Sequence, residues 1–341
     1  MKIRGSSSLF SPLLIALALA GTSPCSARVL NVAKDPYIGA IAIDAATGQT
    51  IFEKNADATG YPASIVKLMD LLVILEKIEQ GYASLSNTVA ITAPMAGIGG
   101  RQVFLMEKEV FTVEQLMAAM VIHSANDAAT ALAIHVAGTK DGFVELMNKR
   151  ARQLGMTATT FRTVHGLPPG KKDKDQTPDT STPRDLALLA RILVQRPDVL
   201  KYTSIRMKPF RTGSQPFNLE NPNHHMLNEF EGCDGLKTGF FDAAGFSSVT
   251  TAQRNGRRVI AVVMGSKTRA GRDEEAKKIL SKAFLELPPP KPVIANTAAK
   301  PEASPRKPLG WQHIAMAGGI GLAIVWAIAA FAMRRSRPTE F

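Results

Sequence analysis

The chain has 341 residues, a formal net charge of +12 and only two cysteines. That charge would suit a nucleic-acid binder, but no basic–aromatic stripe accompanies it, and the N-terminal segment sends the chain out of the cytoplasm. A basic surface outside the membrane suits anionic wall polymers or lipid head groups instead.

Lys2 and Arg4 precede the apolar run LLIALALAG, and PCSA follows before Arg28. A charged start, an apolar core and a small-residue cleavage site mark residues 1–27 as a secretory signal peptide, cut after Ala27. Lipid attachment at Cys25 is disfavoured by Pro24, which occupies a place that wants a small, flexible residue. Cleavage leaves Cys233 as the sole thiol, so no intramolecular disulfide is available. Residues 28–286 must therefore be stabilised by a sizeable hydrophobic core, and their length suits one large domain.

AIAIDAATGQTIFE alternates on both sides of a T-G turn and predicts a β-hairpin. Residues 62–70, PASIVKLMD, run on into LLVILEKI and predict a helix buried on nearly every side. Ser64 and Lys67, three positions apart, would share a face of it. A buried lysine is costly unless it is paired or used; the plainer alternative is a capping serine beside a lysine that reaches solvent. A second S-x-x-K, Ser304 to Lys307, lies in a proline-rich stretch with no helix to align it. The four-residue pattern is weak by itself.

The pattern stays mostly helical to about Leu200. Thr112 and Gln115 form a capping box before LMAAMVI. HSAND (123–127) falls where that helix ends and AATALAIHVAG begins. KKDKDQTPDTS is a polar loop, and Thr182–Pro183 with Asp185 starts RDLALLARIL. DGLKTG (234–239) then leads into a hairpin, GFSSVTTA and RRVIAVVMG around Asn255–Gly256. A final helix is expected from about Asp273 to Phe284. Strands at both ends with helices between them predict an α+β domain whose termini meet in one antiparallel sheet.

Residues 287–309 are a proline-rich linker by composition. Residues 310–333 include a charge-free run from Ile314 to Met333, long enough for a bilayer core of about 30 Å. Trp311 stands at one edge, with Arg334, Arg335 and Arg337 at the other. With a cleaved signal, this predicts a single-pass protein of the cell (inner) membrane with its domain outside, on the periplasmic face, and residues 334–341 inside.

S-x-x-K, S-x-N and K-T-G are each common by chance. In this order, in an exported domain with strands at both ends, they are the set shared by active-site serine penicillin-binding proteins and class A β-lactamases. From about Tyr37 to Ser266 the chain resembles the D-alanyl-D-alanine carboxypeptidase family of low-molecular-mass penicillin-binding proteins. The resemblance is carried by AIAIDAATGQTIFEKNADATGYPAS, SANDAATALA, MNKRARQLGM, HGL, and DGLKTG followed by AG. It implies a β-lactamase/transpeptidase-like fold: an antiparallel sheet from both chain ends with a mostly helical insertion. It also implies removal of the terminal D-alanine from peptidoglycan stem peptides through an acyl-enzyme on Ser64, with β-lactams as covalent inhibitors.

The roles follow from the same resemblance. Lys67 is the base; a free lysine at pH 7 is about 3.4 units below its pKa, a cost of about 4.6 kcal/mol, which burial and a second cation reduce. Lys237 is that cation and attracts the substrate's terminal carboxylate, with a hydroxyl bond from Thr238. Ser124 relays the proton towards the leaving D-alanine, and Asn126 holds the peptide amide. Gly239 lets the substrate approach its strand. The backbone N–H groups of Ser64 and Phe240 form the oxyanion hole. No metal or cofactor is required, and the histidines lack zinc-peptidase spacing. His224–His225 reads as surface or groove lining, and Cys233 as a small packed residue.

Two positions depart from the family pattern: Phe241, two residues after the K-T-G glycine, and Arg101, where a small hydroxyl residue is common. The relatives' extra C-terminal β-domain is replaced by linker and transmembrane helix. A D,D-endopeptidase acting on cross-links shares much of the architecture. A class A β-lactamase needs a loop glutamate for deacylation, and none occurs between Glu145 and Glu220. A non-catalytic penicillin-binding module would be expected to have lost a motif residue, and none is missing.

Overall fold

The computed structural model describes residues 29–170, 176–211 and 216–287. The expected signal peptide, linker beyond Leu287, transmembrane helix and tail lie outside the described residues, as does the 171–175 part of the polar loop. Among the described residues no helix is long and apolar enough to cross a membrane.

The first hairpin forms as the alternation predicts, with β1 at Gly39–Asp44 and β2 at Thr50–Lys54. The next segment departs from expectation. Ala63–Val66 is a 3-10 turn, and only then does α1 begin, Lys67–Glu79. Side chains three apart eclipse on a 3-10 turn, so Ser64 and Lys67 are aligned more closely than an α-helix would align them. α1 is buried from Lys67 to Leu75, as its near-continuous apolar run requires.

A short hairpin, β3 (Thr88–Ala90) and β4 (Val110–Thr112), precedes α2 (Val113–Ile122). The capping box of α2 is complete: Gln115 N donates to Thr112 Oγ1 at 3.1 Å, and Thr112 N donates to Gln115 Oε1 at 2.8 Å. The helices α3 (Asn126–Ala137), α4 (Lys140–Gln153), α5 (Pro183–Val194) and α6 (Pro197–Thr203) follow. A further hairpin, β5 (Met207–Arg211) with β6 (Phe217–Glu220), then leads to α7 (His224–Glu229). The long strands β7 (Cys233–Phe241), β8 (Gly245–Arg254) and β9 (Arg257–Ser266) close the sheet. The last helix, α8, runs over Arg269–Glu286. It starts four residues earlier than its apolar pattern indicates, because Thr268 Oγ1 accepts Gly271 N at 3.0 Å and caps it there.

The main sheet has the order β2-β1-β9-β8-β7 and is antiparallel throughout. β1 from one end of the domain pairs with β9 from the other, Ile41 opposite Val262. β9 shows why its sequence is apolar without alternation. Val259, Ala261 and Val263 face α8, packing with Ile279 and Leu280, while Ile260, Val262 and Met264 join the larger core with α1, α2, α3 and α5. A strand covered on both faces has no solvent side to make polar.

The capping box fixes the N-terminal end of α2, the helix whose other end leads into Ser124, and its removal is a direct test of local design. Thr112→Ala is expected to lower unfolding free energy by about 1 kcal/mol, seen as a lower urea midpoint at unchanged slope.

Candidate active site

The 3-10 turn and α1 bring the first motif together. Lys67 Nζ lies 3.1 Å from Ser64 Oγ, 2.7 Å from Asn126 Oδ1 and 2.9 Å from the His165 carbonyl oxygen. The lysine is 1% exposed. These partners suit two protonation states. An ammonium donates to all three oxygens. A neutral amine donates to the two carbonyl-type oxygens, which can only accept, and turns its lone pair to the Ser64 hydroxyl.

Each partner is held by its own element. Asn126 begins α3, reached through Ser124, whose φ of +64° lies in the left-handed region. Ala63, just before the nucleophile, has φ of +48°. Non-glycine residues there cost about 1–3 kcal/mol and concentrate at functional sites. The His165 carbonyl is delivered by a loop pinned by Asp179: Arg162 N and Thr163 N donate to its Oδ1 at 2.6 and 3.0 Å, and Thr163 Oγ1 to its Oδ2 at 2.7 Å. Gly166 then passes against the nucleophile turn with φ of +77°; a Cβ there would lie 2.1 Å from Ala63 O and 2.9 Å from Ser64 N.

β7 forms the opposite wall. Gly239 packs on the nucleophile turn itself, since a Cβ would lie 2.3 Å from Pro62 O and 3.3 Å from Ala63 Cβ. Besides the substrate approach expected from the sequence, this glycine lets β7 meet the backbone carrying Ser64. Thr238 is buried and Phe240 half-exposed, stacked on Phe246 with centroids 4.1 Å apart. Phe241 is buried and stacks on Tyr61 at 5.7 Å, bracing the same turn with Ala63. Lys237 is 3% exposed, and its Nζ donates to the Thr238 carbonyl at 3.1 Å.

Two further motif residues lie at the same place. Ser124 is buried at the site, and the Lys67 amine is hydrogen-bonded to Asn126. Asn126, expected to hold the substrate amide, first serves the protein. Its Oδ1 accepts from Lys67, and its Nδ2 donates to Gly99 O at 2.8 Å. One Nδ2 hydrogen and one Oδ1 lone pair remain.

The electrostatics also differ from the simple two-cation picture. Burial lowers the Lys67 pKa to about 8, against the opposing charges of Asp70, Asp179 and Asp127. Lys237 is pushed well below the usual lysine range by burial and then by the cations Lys67, Arg101 and Arg272. The Lys67 charge thus acts on Lys237, while Lys67 has carboxylates nearby that favour its own charge. Asp70, one turn beyond Lys67, has neither oxygen hydrogen-bonded to a described residue, and burial raises its pKa well above the carboxylate range. His165 is lowered to about 4 by burial and the Lys67 charge, so its ring is neutral near pH 7.

The sequence reading missed the His165 carbonyl, Gly166, Asp179 and the buried Arg272. The glycine of HGL was the one available signal. The Cys233 thiol is partly buried and raised to about 11 by burial, in keeping with a packed residue. His225 is exposed, within 3.5 Å of Glu229. Among the described residues no group of acidic, histidine or cysteine side chains is arranged to hold a metal.

With this geometry in place, comparison with known proteins is decisive: a family model described as D-alanyl-D-alanine carboxypeptidase matches residues 34–268. The chain belongs to that family. D-alanyl-D-alanine carboxypeptidase DacF of Bacillus subtilis is 31% identical over 285 residues, 82% of this chain and 71% of that protein. DacC of Escherichia coli is 34% identical over 252 residues, 72% of this chain, which spans only 60% of the DacC length. Among solved structures, penicillin-binding protein D2 of Listeria monocytogenes in its ampicillin-bound form is similar with a TM-score of 0.64 and 30% identity. The match covers 73% of this chain and 97% of that one. The fold is that of the family, α+β with its helices inserted between sheet strands from both ends.

Two outcomes follow from the site. A base with a pKa near 8 is neutral in about a tenth of molecules at pH 7. The lowered pKa places the active, neutral form on the alkaline side, so the acylation rate should rise with pH through an inflection near 8. Gly166→Ala forces Ala63 and Ser64 aside; stopped-flow acylation should fall by about 100-fold, the scale of a 1 Å misplacement.

Proposed function

We propose that the protein is a serine-type D-alanyl-D-alanine carboxypeptidase that removes the terminal D-alanine from peptidoglycan stem peptides. The observation that carries this reading is the Lys67 amine, buried and held among Ser64 Oγ, Asn126 Oδ1 and His165 O. Neutral Lys67 takes the Ser64 proton as Oγ attacks the carbonyl of the D-alanyl-D-alanine bond. The backbone N–H groups of Ser64 and Phe240 stabilise the resulting oxyanion, each such donor being worth about 3–4 kcal/mol. Ser124 passes the proton to the departing amine, D-alanine leaves, and water hydrolyses the acyl-enzyme.

The terminal carboxylate binds at Lys237 and Thr238. Such an anion would offset the cations Lys67, Arg101 and Arg272 that act on Lys237. Docking raises the Lys237 pKa, and a charged Lys237 in turn repels a proton from Lys67. Substrate binding therefore readies the base. β-Lactams acylate the same serine, a reading supported by the ampicillin-bound Listeria relative.

Export and anchoring belong to the proposal. The described fold closes with α8, where Leu287 N donates to Ala283 O at 3.1 Å. The linker 287–309 would reach at most roughly 70 Å when extended, keeping the domain near the membrane that residues 310–333 cross.

A labelled penicillin should attach to the purified protein through Ser64, and full labelling of Ser64→Ala would sink the assignment. Lys67→Arg keeps the charge but lacks a neutral form at working pH, so acylation should drop by orders of magnitude while the melting curve persists. Incubation with a pentapeptide and with a cross-linked dimer separates carboxypeptidase from endopeptidase by which one releases product. Cutting the chain after Pro288 should yield a soluble domain with unchanged turnover of a small D-alanyl-D-alanine peptide; loss of that turnover would move the domain boundary.

A further inference from the structure

The terminal carboxylate is assigned to Lys237 and Thr238, yet Lys237 is a poor first point of capture. It is buried, its Nζ already donates to Thr238 O at 3.1 Å, and burial makes its charge costly. The cations acting on it are Lys67, Arg101 and Arg272. Lys67 is enclosed by Ser64 Oγ, Asn126 Oδ1 and His165 O. Arg272 is buried too, and its Nε and Nη2 both donate to Asp273 Oδ1, at 2.8 and 2.5 Å. Of the three, Arg101 is the exposed one.

Arg101 lines a cleft of about 530 Å³ with His123, Phe104 and Phe217. Its Nη2 donates to Glu220 O at 3.0 Å and lies 3.3 Å from His123 Nδ1. That Nδ1 also accepts from Glu220 N at 3.0 Å, so it is an acceptor and the ring is neutral. A guanidinium carries five N–H groups; those of Nε and Nη1 have no hydrogen-bond partner among the described residues. No carboxylate of a described residue lies within ion-pair distance, although the Glu220 charge acts on Arg101 from further away, against that of Arg269. Burial lowers the Arg101 pKa, but a guanidinium does not lose its proton in a protein. Its charge is therefore permanent, and its remaining donors have the fork geometry that suits a carboxylate.

The backbone of Arg101 is fixed against the catalytic residues. Asn126 N donates to Arg101 O at 2.8 Å, and a Cβ on the preceding Gly100 would lie 2.7 Å from Asn126 Nδ2. The Arg101 charge acts on Lys237, and both cations act on His123, so the three side chains share one wall of the site. We propose that Arg101 is a second receptor for the terminal carboxylate and selects peptides that end in a free carboxylate. The inference rests on the carboxypeptidase reading and deepens it. Recognition of the C-terminal anion is divided between a buried lysine and an exposed guanidinium.

The test uses the full-length protein and a peptide ending in D-alanyl-D-alanine, with its C-terminal carboxylate either free or amidated. Release of the last residue is measured. The unaltered protein should favour the free carboxylate by about 100-fold in kcat/KM, about tenfold from each receptor. Arg101→Gln should cut that preference about tenfold through a higher KM for the carboxylate peptide, and Arg101→Lys should retain part of it. Lys237→Gln should leave the share that Arg101 supplies, and the double variant should leave none. A preference unchanged in Arg101→Gln, with both peptides slowed alike or not at all, would make Arg101 a brace for Glu220 and His123 and overturn the proposal. Complete loss of the preference in Lys237→Gln alone would also overturn it, even if Arg101→Gln failed to fold. Release from neither peptide by the unaltered protein would instead overturn the carboxypeptidase reading, and this inference with it.

Discussion

A single buried amine organises this molecule. Lys67 is surrounded by oxygens from three separate parts of the chain: the 3-10 turn before α1, the start of α3, and the loop that ends in Gly166. Removing a charge from water costs several kcal/mol unless partners compensate, so each oxygen must arrive with the right geometry. Lowering the pKa from the ordinary lysine value to about 8 corresponds to about 3 kcal/mol of destabilised charge. Chemistry and stability are thus coupled: the same burial that makes the lysine a usable base makes its three-part cage a structural necessity.

Much of the surrounding architecture serves that cage. Left-handed backbone at Ala63 and Ser124, and glycines at 166 and 239, mark the places where separate segments meet at less than side-chain distance. β7 presses on the nucleophile turn through Gly239, and Phe241 with Tyr61 closes the other side of it. The sheet supplies the rigid backing, because β9 is covered on both faces and ties the two ends of the domain together.

Charge is distributed with a sign difference between the two site lysines. Lys67 has carboxylates for neighbours and Lys237 has cations. A buried cation among cations is a poor resting arrangement and a good receptor for an anion. Phe241 lies on the same strand as Lys237, and the Arg101 charge acts on Lys237. Phe241 has gone into bracing, while Arg101 brings another cation to the rim.

The amino-acid sequence by itself determined the elements whose causes are local. The T-G hairpin, the capping box at Thr112, the N-cap at Thr182, the buried run of α1 and the Asn255–Gly256 turn were legible, because turn chemistry, caps and periodicity act over a few residues. The three motifs named the site, since their residue types carry the chemistry. Only the tertiary structure decided how the motif residues divide their work. Nothing in the spacing showed that Asn126 would take Lys67 before any substrate, or that Gly239 makes room for Pro62 O. Nor could spacing reveal that the third oxygen is a main-chain carbonyl at His165, because every residue has a carbonyl and its identity leaves no trace in sequence. The small hairpins β3–β4 and β5–β6 were missed because their strands are too short to show a period. Contacts between distant segments are set by packing and by the requirement that a buried charge be surrounded, and those constraints exist only in three dimensions.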